Sequence, residues 1–345
     1  MHATPLMPLP ARRTFRLGAV AAVALALAYG FALPLPFFAP LLALIMTATP
    51  SPPMRTKQLL GLLVVVTITL GVGLVMAPML RYYPLTGVML VAVGVFVSTY
   101  LGVGKGKAAV STLLTIGLTM IPAAGLMAHT VAVSVVQALL IGLGVAIVAQ
   151  WLVYPWFPED PIGARAAKPT PDDSRESLWL ALRTMVIVMP PVLLAFVNPS
   201  AYMAIIMKAA LLGQQGGRVS AVMAGQQLIG STLLAGVYAF AFWFGLTLWP
   251  SLWMFVLWML LFGMHFGRRM YGVARSRQPP SFWLNVGTTM LILIGPAVED
   301  SSGGDVYTAF VQRFVLFVLV TLYAWGAILV LEWLRARRVQ RTSAA

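Results

Sequence analysis

Apolar positions in this chain fall in unbroken runs rather than in alternation, and the runs end at Pro, Gly or basic clusters. Runs of about 20 apolar residues are the length a helix needs to cross roughly 30 Å of hydrocarbon, whereas a membrane barrel strand would alternate. Twelve helical segments follow: 14 to 32, 36 to 49, 59 to 80, 85 to 101, 108 to 127, 130 to 153, 178 to 197, 199 to 213, 219 to 247, 250 to 267, 281 to 297 and 307 to 334. The expected fold class is an all-α polytopic membrane protein of about twelve transmembrane helices. The first segment, preceded by Arg12, Arg13 and Arg16, has no small-x-small cleavage site leading into a soluble domain, so it is expected to stay as an anchor.

Composition supports the same class: 60% of the 345 residues are hydrophobic and 9% charged, against about 25% charged in soluble domains. The chain has no cysteine, which excludes a disulfide scaffold, a Cys-ligated metal and a thiol nucleophile. His2, His129 and His265 stand too far apart for two ligands on one helix. No metal or cofactor is expected. Gly104-Lys105-Gly106-Lys107 lacks the spacing of a phosphate loop.

The net charge of +14 would suggest nucleic acid in a soluble protein. With twelve helices and both termini in the cytoplasm, it instead follows the positive-inside rule. Arg12, Arg13, Arg16, Arg55, Lys57, Lys105, Lys107, Arg165, Lys168, Arg175, Arg183, Arg218, Arg268, Arg269, Arg275, Arg277, Arg335, Arg337, Arg338 and Arg341 fall on the cytoplasmic side, 20 of the 23 basic residues. Arg81 and Arg313 fall toward the outer face with the acidic Glu299, Asp300 and Asp305, and Lys208 lies within a span. No nucleic-acid partner is expected; the surroundings are membrane lipid.

A shift of 170 positions lays residues 102 to 120 on 272 to 290 with seven identities in 19, among them Ser111/Ser281, Gly117/Gly287 and Thr119/Thr289. Arg16 lies on Arg183 by a looser correspondence. The expected organisation is two parallel six-helix repeats, residues 1 to 155 and 178 to 345 with a basic C-terminal tail, joined by a cytoplasmic linker at 156 to 177. The repeat and the spans together place the candidate site. Short or Pro-interrupted segments at matching positions in two halves point to a transporter's binding site. Segment two opens with Pro34 and Pro36, segment eight with Asn198 and Pro199, and each is about 15 residues or fewer. A helix start left with free N–H groups favours an anion. Pro190-Pro191 in segment seven frees carbonyls one turn back.

Lys208 sits near the middle of segment eight. A lysine at that depth costs about 2.5 to 3.5 kcal/mol, so it either snorkels to the interface or faces a wet cavity as an attractor for a carboxylate. Arg16, Arg183, Thr119 and Thr289 complete the candidate substrate-binding residues, helix packing being the alternative for the threonines. No chain of Asp, Glu or His runs through the spans to relay protons. An anion leaving a cell that is negative inside gains about 2.3 kcal/mol per 100 mV, so export can run on potential alone.

The opening helix bearing Arg16, the Leu33-Pro34-Leu35-Pro36-Phe37-Phe38-Ala39-Pro40 break and the short second helix ending at Pro50 resemble the FUSC-like (fusaric acid resistance) inner-membrane proteins, in their short form without a soluble domain. Arg55, Lys57 and Gly61, and Arg218 and Gly225, at the start of the third helix of each half are similar too. The resemblance implies an inner-membrane subunit of an efflux system for organic anions such as aromatic carboxylic acids, working with a periplasmic adaptor of the membrane-fusion type. It also implies kinship with plant malate channels of six-helix units. The bacterial inner membrane is the expected setting, the number of copies in the assembly is left open between monomer and oligomer, and no enzymatic activity is expected. An accessory or scaffold subunit without a pore, and a membrane-embedded lipid-modifying enzyme, are the alternatives.

Overall fold

The computed structural model describes residues 7–104, 108–160, 174–215, 221–300 and 306–343. Lys105, Gly106, Lys107, Arg165, Lys168, Gly217, Arg218 and Asp305 lie outside them. The described residues form twelve α-helices and no strand: α1 Leu9–Gly30, α2 Phe38–Ala48, α3 Thr56–Tyr82, α4 Pro84–Gly104, α5 Ala108–Met127, α6 His129–Val153, α7 Ser174–Val197, α8 Pro199–Gln215, α9 Ala221–Leu248, α10 Leu252–Met270, α11 Pro280–Asp300 and α12 Val306–Ser343. Among them eight (α1, α3, α4, α6, α7, α9, α11 and α12) are long and apolar enough to cross a membrane. The chain is an all-α polytopic membrane protein.

The helix ends depart from the apolar runs for local reasons. α1 starts at Leu9, so that Arg12, Arg13 and Arg16 lie inside it; Pro10 is accepted in the first turn, where its missing N–H has no intrahelical partner to lose. α12 continues through Arg335, Arg337 and Arg338 to Ser343, because arginines propagate a helix and no Pro or Gly follows Gly326. α2 is shorter than its apolar run. Pro34 and Pro36 are spent in a turn in which Ala32 and Leu35 take φ of 48° and 45°, and the helix begins only at Phe38. Its 11 residues rise roughly 16 Å, about half the hydrocarbon thickness. Its far end is tied down by side chains: the Tyr271 hydroxyl donates to the carbonyls of Thr47 and Ala48, each at 3.1 Å, and Gln150 Nε2 donates to Thr47 Oγ1 at 3.0 Å. Those carbonyls have no acceptor role left inside so short a helix.

Two compact units divide the chain, and each draws on both of its halves. Unit 1 comprises Met1–Thr67, Ser134–Lys168 and Leu234–Val306; unit 2 comprises Ile68–Val133, Pro169–Leu233 and Tyr307–Ala345. In unit 1, α1 packs on α10 and α2, α10 on α11, and α11 on α2, closing a ring of four helices. In unit 2, α7 packs on α4 and α8, and α5 on α4 and α8, closing another. Each ring therefore joins the first two helices of one chain half to the fourth and fifth of the other.

Small residues set these contacts. A Cβ on Gly263 would lie 2.8 Å from the Cα of Gly18, and one on Gly267 3.2 Å from the Cα of Thr14, so the α1 and α10 backbones touch along Gly263-x-x-x-Gly267. The duplicated Gly117 and Gly287 also sit in tight packing, the first against Leu70 and the second with its Cβ position 2.9 Å from Leu44 Cδ2. Between α4 and α5, Ser111 Oγ donates to the Ser98 carbonyl at 2.9 Å and Ser98 Oγ to the Ser111 carbonyl at 3.2 Å. Hydroxyls thus bind these two apolar helices together where lipid offers no other partner.

Candidate functional site

The candidate residues divide between the units. Arg16, Pro34, Pro36 and Thr289 belong to unit 1; Arg183, Lys208, Asn198, Pro199 and Thr119 belong to unit 2. Within each, the structure shows how these groups are engaged. Thr119 Oγ1 back-bonds to the Thr115 carbonyl at 2.7 Å, a use internal to α5. Thr289 Oγ1 donates to Asn285 Oδ1 at 3.4 Å on its own helix. Asn198 is exposed between α7 and α8 and accepts from Ser200 Oγ at 2.8 Å, with Pro199 as the first residue of α8. Pro34 and Pro36 are half-buried in the turn before α2. Lys208 is completely buried on α8, so its ammonium does not reach the surface as snorkelling requires.

Arg16 and Arg183, aligned by the looser sequence correspondence, are both buried, and each meets a glutamate, Glu159 beyond α6 and Glu332 within α12. In unit 1, Arg16 is 4% exposed and its Nη2 lies 2.6 Å from Glu159 Oε2; Nη1 reaches the Phe157 carbonyl at 3.4 Å. Arg13 joins the same carboxylate through Nε at 2.6 Å and through Nη2. Arg12 holds the neighbouring Asp160 at 2.5 Å and the Pro158 carbonyl at 2.8 Å, and Phe15 stacks on Phe157 with ring centroids 5.7 Å apart. The start of the expected linker is accordingly fastened to α1. Burial alone would raise the Glu159 carboxyl, but the hydrogen bonds from Arg13 and Arg16 outweigh it and hold it below the ordinary 4.5.

In unit 2, Arg183 is 3% exposed on α7, and its Nη1 lies 3.3 Å from Glu332 Oε1 on α12. The two helices run antiparallel here through three successive contacts. Tyr323 Oη donates to the Val186 carbonyl at 2.8 Å, Glu332 faces Arg183, and Arg335 lies over the Trp179 ring at 5.4 Å. The first contact has a cause in the sequence: Pro190 has no N–H for the carbonyl four residues before it, and Tyr323 supplies the missing donor. Neither glutamate stands out in the sequence by itself. Their signal is the interval from arginine to glutamate, 143 residues in one half and 149 in the other.

Cavities open among the described residues of unit 1. One of about 520 Å³ is lined by Tyr29, Trp243, Thr247, Phe255 and Val298 among others, none of them charged, so a bound anion would have no counter-charge there. The second is a crevice of about 10 Å³ beside Arg16, Thr47, Gln150 and Tyr154, room for about one water.

Residues 13–153, from Arg13 in α1 to the last residue of α6, match a family model described as a protein of unknown function (DUF2955). No curated protein and no solved structure matches the chain. What the chain is similar to is thus a family without an assigned activity, over the part that holds Arg13 and Arg16 and stops short of Glu159.

Proposed function

We propose that this chain is the membrane subunit of an efflux system that exports organic anions such as aromatic carboxylic acids. The observation that carries the reading is the placement of basic side chains inside apolar helices: Lys208 is fully buried on α8 and Arg183 nearly so on α7, and the two helices pack together. Basic groups kept in a membrane interior against an insertion cost of about 3 kcal/mol each have a use there, and attraction of an acidic substrate is the simplest one. The FUSC-like resemblance of residues 12 to 50 supplies the substrate class, the bacterial inner membrane and the periplasmic adaptor of the membrane-fusion type. The positive-inside pattern supports termini in the cytoplasm, and on this reading a membrane potential, negative inside, is the driving force.

Purified protein in liposomes loaded with benzoate tests this. Efflux is expected when the compartment matching the cytoplasm is made negative. Lys208→Ala is expected to reduce the initial rate at least about tenfold, with the protein still recovered from the membrane. Absence of flux with any aromatic acid would favour the accessory, pore-free role, and unchanged flux in Lys208→Ala would remove that residue from the path.

A further inference from the structure

The duplicated arginines differ in how fully they are used. Every buried nitrogen of the Arg16 side chain has a partner, whereas Arg183 Nε and Nη2 are buried with no hydrogen-bond partner among the described residues. A half-satisfied guanidinium, 97% covered, is an expensive arrangement, because buried charge is normally both paired and hydrogen-bonded. The two unused nitrogens share one edge of the guanidinium. That edge is the planar fork that accepts two coplanar oxygens side by side. One turn earlier on the same face of α7, Trp179 Nε1 is a further buried donor without a partner, and its ring lies beneath Arg335. Glu332 meets Arg183 through Nη1, and Arg335 lies over the Trp179 ring, so two guanidiniums stand on this stretch of α7 and α12.

We propose that the Nε/Nη2 edge of Arg183, assisted by Trp179 Nε1, is the carboxylate-binding site of this protein. Glu332 orients the guanidinium through Nη1 and leaves the opposite edge open. The Glu332 side chain is 35% exposed, so the Nη1 side of the otherwise covered guanidinium lies next to the surface. A diacyl phospholipid is a poor fit to a guanidinium so completely covered, and a flat monocarboxylate is a good one. The choice of an organic acid as ligand rests on the export reading above; the unsatisfied donors do not.

Benzoate binding to the detergent-purified, delipidated protein tests the site. The protein is labelled with 5-fluorotryptophan, and the Trp179 fluorine resonance is assigned by Trp179→Phe. Benzoate is expected to shift that resonance saturably. Arg183→Lys, which keeps the charge and loses the fork, is expected to raise the Kd about tenfold or more, and Arg183→Gln to abolish the shift. Glu332→Gln, which removes the resident carboxylate, is expected to bind as tightly or more tightly. The Arg183 variants are scored only as monodisperse protein, and Glu332→Gln provides a second arm should they fail to fold. Wild-type affinity in Arg183→Lys, weaker binding in Glu332→Gln, or a resonance that answers to phosphatidylglycerol and not to benzoate overturns the proposal. Liposome flux separates the two readings: wild-type flux retained in Arg183→Gln sinks this site and leaves export standing, while benzoate binding at Arg183 without flux does the reverse.

Discussion

Two arginines of like position behave differently because of what surrounds them. Arg16 shares Glu159 with Arg13 and is closed off by the Phe157 carbonyl, so it acts as a fastener. Among the described residues Arg183 has a single acceptor at 3.3 Å. The fastener has a defined pH behaviour. The folded carboxyl of Glu159 lies below the ordinary 4.5, so its stabilising contribution is fully present above that value and is lost only as the pH falls through it and below. Hydrogen exchange at the Phe157, Glu159 and Asp160 amides, corrected for intrinsic rates, should stay slow from pH 7 to pH 5 and accelerate only below about 4.5. Glu159→Gln should remove that protection at pH 7, since it strips the charge partner from two arginines, a loss of about 3 to 5 kcal/mol for a buried pair. Protection that falls between pH 7 and 6 would contradict this. The sequence alone singled out Arg16, Arg183 and Lys208, since a charge within an apolar run is conspicuous. Glu332 entered that reading only as an acidic residue at the inner end of segment twelve, near Lys208, and Glu159 not at all, since both lie beyond or at the end of their runs, where acidic residues are ordinary.

Among the elements, α1 and α10 show how much a contact can depend on the absence of side chains. Gly18, Gly263 and Gly267 let the two backbones touch, and nothing larger than hydrogen fits at Gly263 without displacing the Cα of Gly18. Gly263→Leu is expected to separate α1 from α10 and destabilise unit 1 by about 1 to 3 kcal/mol, the usual cost of overpacking; a lowered thermal aggregation midpoint in detergent checks it. Gly61→Leu, at a position with open space around it, is the matched control and should leave the midpoint unchanged. All twelve helices were legible from their apolar runs, because the solvent they meet demands continuous hydrophobicity. Their ends were less so. Hydropathy cannot register that Pro10 is harmless in a first turn, that Pro36 belongs to a turn, or that a run of arginines extends α12.

At the scale of the molecule, sequence order and packing order diverge. The repeat read from residues 102 to 120 and 272 to 290 divides the chain in the middle, yet α1 and α2 find their partners in α10 and α11, and α7 and α8 find theirs in α4 and α5. No periodicity in a single sequence encodes that exchange, since each helix presents an equally apolar surface to a neighbour or to lipid. A chain of residues 1 to 168 alone lacks the partners of α1 and α2 and should be degraded or aggregate in the membrane. Its co-expression with residues 169 to 345 should restore both to a detergent-stable complex, measured by co-purification through a tag on one half. Independent stability of the first half would show that the ring of α1, α2, α10 and α11 is dispensable. The same exchange sets a timetable for biogenesis. About 250 residues separate the end of α2 from the end of α11, and at roughly 5 to 20 residues per second the first two helices wait roughly thirteen to fifty seconds after synthesis before the helices that complete their ring emerge. During that interval the touching face of Gly18 and the half-length α2 have only lipid, the insertion machinery or a chaperone for company, so assembly of this protein is a task of retention before it is one of folding.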